Sequence, residues 1–424
     1  MKLIVKKTDK LSGKIRIPAS KSHTIRAVVI ASLAKGTSRI INPLDSADTT
    51  AAVNACRALG AKIEIKEGEW IVHGFSGKPK QPEGTVNFEN SGTSSRLIMG
   101  VIALGDLNVT VDGDESLRQR PVKPLIDALG NLGVSAVSLD KKTVLPIKIG
   151  GKLSGGKTEV DCKSSQYVSS LLISCPLAEG DSEIIVKNLC EKPYIEMTLR
   201  WLDEQEVKYE NNNFEVFKIK GGQKYGAFEK EIPGDWSSAT FPLCAGALTR
   251  SDLVLEGLDM EDEQGDKAVL GILKKMGANI EADRGTVQIY GKELHGKDFD
   301  MKNTPDALPA MAVVGCFAKG KTRLLNVSQA RIKETDRIKI MTQELSKMGA
   351  KIEELKDGLI IEESELFGSD VCGYNDHRIV MALSLAGMIA EGKTTIDTAE
   401  SIGVTYPRYV DTMKSVNANM ELIL

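Results

Sequence analysis

Six short polar stretches could do chemistry: Ser20-Lys21-Ser22-His23, Asn90-Ser91-Gly92-Thr93-Ser94-Ser95, Lys163-Ser164-Ser165-Gln166, Asp235-Trp236-Ser237-Ser238, Asn303-Thr304-Pro305-Asp306 and Asn375-Asp376-His377-Arg378. Each precedes an apolar run, as the start of a helix does. Capping alone explains one such stretch, because Ser, Thr, Asn and Asp satisfy the open N–H groups of a first turn. The cations are harder to explain that way. Lys21 and Arg26 flank Ser22, with Ser22 and Arg26 spaced i,i+4 on one helical face. Arg96 follows the Asn90–Ser95 stretch, Arg118 and Arg120 precede Pro121, and Lys333, Glu334 and Arg337 lie within seven residues. Arg26, Arg96 and Arg378 each open an otherwise apolar helix. Arginine's planar fork suits carboxylates and phosphates, and helix N-termini add partial positive charge and free N–H groups, so the combination describes an anion site. Asp306 and Glu334 stand beside these cations, where a carboxylate can be tuned to move protons.

The elements that must position these residues repeat. A helix end followed by a turn and a strand recurs at Gly36, Gly105, Gly180, Ser251, Gly320 and Gly392, at intervals of 69, 75, 71, 69 and 72 residues. A second marker recurs at Leu59-Gly60-Ala61, Leu132-Gly133-Val134, Met276-Gly277-Ala278 and Met348-Gly349-Ala350, with weaker echoes at Glu206-Val207 and Asn417-Ala418. Each clear copy reads as a helix C-terminus with left-handed Gly leading into an alternating strand. Six units of about 70 residues, each with two helices and several strands, predict an α/β chain of two similar lobes of three units. The expected lobes are 20–232, and 1–19 plus 233–424, with crossings near Pro18-Ala19-Ser20 and Ile232-Pro233-Gly234-Asp235.

Composition narrows the function. The 424 residues are 42% hydrophobic and 27% charged with a net charge of -3, lacking the basic surplus of a nucleic-acid binder. No apolar run is long enough to span a membrane, and the N-terminus has neither signal nor transit character, so a cytoplasmic protein is expected. The seven cysteines form no CxxC pair and read as buried small hydrophobes. No metal and no cofactor is expected, and neither a P-loop, a Rossmann fingerprint nor a G-x-S-x-G elbow occurs.

At these residues the chain resembles the enolpyruvyl transferases, and within them the branch that acts on shikimate 3-phosphate. The resemblance rests on Pro18-Ala19-Ser20-Lys21-Ser22-His23-Thr24-Ile25-Arg26, Asn90-Ser91-Gly92-Thr93-Ser94-Ser95-Arg96, Leu117-Arg118-Gln119-Arg120-Pro121, Ser164-Ser165-Gln166, Lys192-Pro193-Tyr194, Pro305-Asp306-Ala307, Lys333-Glu334-Thr335-Asp336-Arg337 and Tyr374-Asn375-Asp376-His377-Arg378, in that order. It implies an inside-out α/β barrel of two lobes, each of three βαβαββ units, with the substrates in the cleft between them. The implied reaction moves the enolpyruvyl group of phosphoenolpyruvate to the 5-hydroxyl of shikimate 3-phosphate and releases phosphate, in a monomer. Lys21, Ser22, Arg26, Ser164, Ser165, Gln166, Tyr194, Asp306, Gln329 and Lys333 would then hold shikimate 3-phosphate. Lys21, Asn90, Gly92, Arg120, Gln166, Arg337 and Arg378 would hold phosphoenolpyruvate; space at Gly92 favours inhibition by glyphosate, whereas Ser91 and Leu97 are not the commonest residues of sensitive members. Asp306 would accept the hydroxyl proton, Glu334 would transfer a proton at the methylene carbon, and Lys21 is a further acid.

Three positions depart from the family pattern. Glu191 precedes Lys192-Pro193-Tyr194 where Ser is frequent, Gln329 replaces a common Asn, and Val404 stands where some members place a lysine for phosphoenolpyruvate. A related enzyme acting on UDP-N-acetylglucosamine is the alternative, but the loop Asp112–Arg120 lacks that family's reactive Cys. A non-enzymatic ring around DNA is a further alternative, and it would not need Asp306 and Glu334 beside cations.

Overall fold

The computed structural model describes residues 1–140 and 144–423. The chain divides into two units, Ala19–Pro233 and Met1–Pro18 with Gly234–Leu424. Each holds three four-stranded sheets of one pattern. In the third repeat, strand Gly156–Asp161 runs parallel to Ser182–Lys187, which pairs antiparallel with Val216–Ile219, which in turn pairs with Tyr209–Asn212. Helix Ser165–Ser174 links the first two strands and helix Lys192–Glu204 leads to the final hairpin, giving βαβαββ.

Three repeats borrow strands from distant sequence. Glu229–Glu231, at the end of its unit, supplies the parallel strand beside Thr37–Ile41 of the first repeat. Lys2–Lys6 pairs with both Lys393–Ile396 and Met420–Ile423, completing the last repeat from the N-terminus. Lys10–Arg16 runs parallel to Arg250–Glu256. These pairings tie residues 1–18 into the unit formed mainly by the second half of the chain.

The first helix of each repeat is apolar nearly all round and therefore sits inside its unit rather than on it. His23–Leu33, Trp236–Ala247, Leu308–Cys316 and His377–Met388 are buried without a break. The second helices are amphipathic and cover the outside, as Lys123–Asn131 and Lys192–Glu204 do. Each unit has its own hydrophobic core. Because the central helices are buried, their polar N-terminal turns are the places where polar chemistry reaches the interior.

The repeat markers correspond to real turns. Gly60, Gly133, Gly277 and Gly349 have φ between 96° and 111°, the left-handed form that ends a helix, and the echoes Glu206 and Asn417 adopt it at 56° and 76°. The first marker is less uniform. Gly36, Gly320 and Gly392 have positive φ, whereas Gly105, Gly180 and Ser251 do not, because there the turn is made without a left-handed residue.

Candidate active site

Five of the six central helices start with a polar cap. The side chains of Ser20, Ser91, Ser164, Asp235 and Asp376 accept from backbone N–H groups of their first turns. The fifth repeat is the exception. Its helix Leu308–Phe317 is preceded by Ala307, which offers no side-chain cap. Asp306 is thus excused from capping, and its carboxylate faces cations instead.

In Ala19–Pro233 the polar turns gather cations. Lys21 Nζ lies 3.0 Å from Asp48 Oδ2, both largely buried. Arg26 is buried and donates from Nε to Thr198 Oγ1 at 2.9 Å, from Nη1 to Ser22 O at 3.1 Å and from Nη2 to Tyr194 O at 3.1 Å. Burial pushes the Arg26 guanidinium down to about 10, so it remains charged at neutral pH. At the start of helix Gly92–Ile102, a Cβ on Gly92 would lie 2.4 Å from Arg96 Nη1 and 3.1 Å from Arg120 Nη1. Glycine lets two guanidinium groups approach the helix end, where a Cβ would displace the tip of the Arg96 side chain. Arg120 is held by Asn90 Oδ1 at 2.6 Å and Ser116 Oγ at 3.1 Å, and Asn90 donates onward to Asp114. Gln166 Nε2 reaches Thr93 Oγ1 at 3.0 Å. Lys21 and Arg26 therefore lie on one polar turn, and Asn90, Gly92, Arg96 and Arg120 meet at another. Arg118, by contrast, is spent on Asp112.

The Ser164-Ser165-Gln166 turn already holds an anion of the protein's own. Glu191, itself buried, accepts at Oε2 from Ser165 Oγ at 2.8 Å and from Ser165 N at 3.3 Å. Its backbone is left-handed, with φ 48°. A carboxylate fits a helix N-terminus for the reason a phosphate does. Tyr194 is half-buried, and its carbonyl serves Arg26.

The other unit gathers acids around its arginines. Arg337 is fully buried, and its guanidinium is held by three carboxylates. Nη1 donates to Asp306 Oδ1 at 2.7 Å, Nη2 to Glu334 Oε2 at 2.5 Å, and Nε to Asp376 Oδ2 at 2.8 Å. Arg378 Nη2 lies 3.3 Å from Asp306 Oδ2. Burial acts to raise the Asp306 pKa, but Arg378, Lys333 and Arg337 together hold it well below the usual carboxylate range. Arg337 is raised by Asp376, Glu334 and Asp306 against the effect of its burial. Arg337 thus serves first as the brace for the acids.

Sequence reasoning passed over Asp266. It follows Gln264-Gly265 ahead of helix Ala268–Met276, is fully buried, and accepts from Ser237 Oγ at 2.5 Å. Burial, then the charge of Asp306, pushes it up to about 7. The Asp306 charge disfavours ionisation of Asp266, so the two carboxylates titrate apart. Asp266 lies about 30 residues from the helix start it serves, and only the fold joins them. Gln329 spends its amide on Lys302 O at 2.6 Å. Val404 ends a short turn, Ala399–Val404, that packs along the helix begun by His377.

Buried guanidinium groups at helix starts, with ionised carboxylates braced on arginine, have the chemistry of a site for small anions. The repeat architecture is also that of the enolpyruvyl transferase NikO from Streptomyces tendae, which superposes with a TM-score of 0.81 over 99% of this chain and 98% of that one at 18% identity. Within that fold the chain belongs to the EPSP synthase (3-phosphoshikimate 1-carboxyvinyltransferase) family, whose model matches residues 5–413. Curated relatives include the 3-phosphoshikimate 1-carboxyvinyltransferases of Acetivibrio thermocellus, 52% identical over 99% of both chains, and of Methanocaldococcus jannaschii, 43% identical over 99% of both. The EPSP synthase of Acinetobacter baumannii superposes with a TM-score of 0.85 at 27% identity over the full length of both chains.

Proposed function

We propose that this protein transfers the enolpyruvyl group from phosphoenolpyruvate to the 5-hydroxyl of shikimate 3-phosphate, releasing phosphate. The observation that carries the reading is Asp306, kept ionised between Arg378 and Arg337 with Glu334 on the same brace. A carboxylate held so far below its ordinary pKa is a weak base in the empty protein. Its basicity rises when a substrate anion takes up part of the Arg378 charge, so proton removal is coupled to phosphoenolpyruvate binding.

The hydroxyl oxygen then bonds to C2 of phosphoenolpyruvate while its proton passes to Asp306. C3 gains a proton from Glu334 or Lys21, and the product of this addition is a tetrahedral intermediate not bonded to the protein. Loss of phosphate from C2 and of a proton from the new methyl group regenerates the double bond. Arg96 and Arg120 over Gly92 supply fixed positive charge for phosphoenolpyruvate, and Arg26 with Lys21 supplies it for the shikimate substrate. Such preorganised cations act without reorganising as charge develops.

The reading assigns both clusters to one reaction, with Ala19–Pro233 the shikimate 3-phosphate unit and the other the phosphoenolpyruvate side. It includes a monomer in the cytoplasm; no helix among the described residues is long and apolar enough to cross a membrane. The test is phosphate release from phosphoenolpyruvate with each acceptor. Release with shikimate 3-phosphate and none with UDP-N-acetylglucosamine supports the assignment, and the reverse pattern overturns it.

A further inference from the structure

The cysteines divide into two kinds. Burial pushes the thiols of Cys56, Cys175 and Cys316 up to about 12, as suits inert core residues. Cys162 and Cys190 are different because they face each other. Their Sγ atoms are 3.9 Å apart, and Cys190 Sγ lies 2.7 Å from Cys162 O. The fold brings them together across 28 residues of sequence. Gly156–Asp161 and Ser182–Lys187 are parallel neighbours with Asp161 opposite Lys187, so both cysteines leave the sheet at the same end. Cys162 N donates to Lys187 O at 2.8 Å, fixing that exit.

Their position gives the pair a consequence. Cys162 stands two residues before Ser164, and Cys190 immediately precedes Glu191, whose carboxylate rests on Ser165. We propose that Cys162 and Cys190 are a redox modification site, a dithiol whose conversion to a disulfide clamps the Ser164–Gln166 and Glu191 loops together and shuts out the substrate phosphate. The proposal rests on the reading of Ser164–Gln166 as a phosphate-binding turn. A disulfide needs its sulfurs about 2.05 Å apart, so closure draws the loops toward each other and holds Glu191 on Ser165.

The oxidant is a low-molecular-weight disulfide. Cys190, the half-exposed partner, attacks it as the thiolate and releases one small thiol, forming a mixed disulfide. Cys162 then attacks the Cys190 sulfur and releases the second thiol. Two protein thiols are oxidised and one small disulfide is reduced to two thiols, with the two protons passing to the released thiolates.

The full-length protein is incubated with oxidised glutathione, then assayed before and after dithiothreitol. The expected result is loss of two titratable thiols, a linked peptide joining Cys162 to Cys190, and a rise of at least tenfold in the KM for shikimate 3-phosphate that dithiothreitol reverses. Cys190→Ser and Cys162→Ser should each keep the reduced protein's activity and escape the effect. Absence of the linked peptide at saturating oxidant overturns the proposal, and so does a linked protein with unchanged KM. If the reduced protein does not use shikimate 3-phosphate at all, the functional reading fails instead. Hydrogen exchange at Ser164–Gln166 then decides the matter, with equal protection in the two redox states overturning the clamp.

Discussion

Arg26 and Arg337 are both buried, both at the start of a helix, and both held by several oxygens, yet their surroundings oppose each other. Arg26 donates to two hydroxyls and two backbone carbonyls, all neutral, and its pKa falls. Arg337 donates to three carboxylates, and its pKa rises. A buried cation among neutral dipoles keeps a charge that an incoming carboxylate can satisfy. A buried cation already satisfied by three acids has become part of the scaffold that sets those acids' protonation. One repeat architecture therefore yields a unit suited to binding anions and a unit suited to handling protons, and the difference lies in which side chains meet the guanidinium.

The sharpest way to break this contrast is Asp306→Asn. The amide keeps size and some hydrogen bonding but cannot take a proton. A fall in kcat of about 10²- to 10⁴-fold is expected, with the KM for shikimate 3-phosphate changed far less. Steady-state kinetics on a variant with unaltered circular dichroism decides it, and a kcat within tenfold of the parent would remove Asp306 from the chemistry.

A paired truncation tests the two arginines directly. Arg337→Ala strands three acids in a buried site and should cost about 3–5 kcal/mol of stability in denaturant unfolding. Arg26→Ala leaves neutral acceptors behind, so its structural cost should be nearer 1–3 kcal/mol, while the KM for shikimate 3-phosphate rises steeply. Equal stability losses would erase the distinction drawn between them.

The proton-handling unit also predicts a pH signature. Asp266 has a folded pKa of about 7 against an ordinary 3.8, so the folded state binds more protons than the unfolded state between those values. Its contribution is fully present below pH 3.8 and is lost as pH rises through 7. Asp306 runs the other way: its depressed folded pKa contributes stability above the ordinary carboxylate range that is lost as pH falls. Asp266→Asn should flatten the decline between pH 4 and 7 in unfolding free energy. An unchanged slope would show that Asp266 is not the group responsible.

How far these differences could be read from the chain depends on their range in sequence. The repeat, with two helices and several strands per unit, and the six polar helix starts were legible because each is written within about 70 residues, in the spacing of helix ends and turns; the βαβαββ order came only with the family resemblance. The capping reading also held for Ser20, Ser91, Ser164, Asp235 and Asp376. It failed for Asp306, where Ala307 takes the position before the helix and frees the acid. The bracing of Arg337 by Asp306 and Asp376, the Ser237–Asp266 contact and the approach of Cys162 to Cys190 were not legible. Each joins residues 28 or more apart, and nothing in local spacing distinguishes such an arginine from one that waits for a ligand. Glu191 lay between these cases. Its charge near a phosphate turn was visible, but its hydrogen bonds to Ser165 were not.

That occupancy gives the next prediction. If Ser164–Gln166 holds the substrate phosphate as proposed, Glu191 has to leave Ser165 before that phosphate can take the same N–H and hydroxyl donors. Glu191→Ser should lower the KM for shikimate 3-phosphate about tenfold, equivalent to about 1.4 kcal/mol, with kcat within twofold. A raised KM would mean that the carboxylate organises the turn more than it obstructs it.

The smallest effect is expected at Val404, where some family members carry a lysine. The residue is half-buried and ends the Ala399–Val404 turn that packs along the Arg378 helix. Much of the Arg337 charge is compensated by its acids, so on the proposed reading Arg378 is the main cation of this unit for phosphoenolpyruvate. Val404→Lys should therefore lower the KM for phosphoenolpyruvate, but by less than tenfold, because a partly exposed lysine is screened and loses side-chain entropy on pairing. No change, alongside a KM already typical of the family, would show that Arg96 and Arg120 supply the needed charge from the binding unit. The division of labour between the two units would then be stricter than the arginine comparison alone requires.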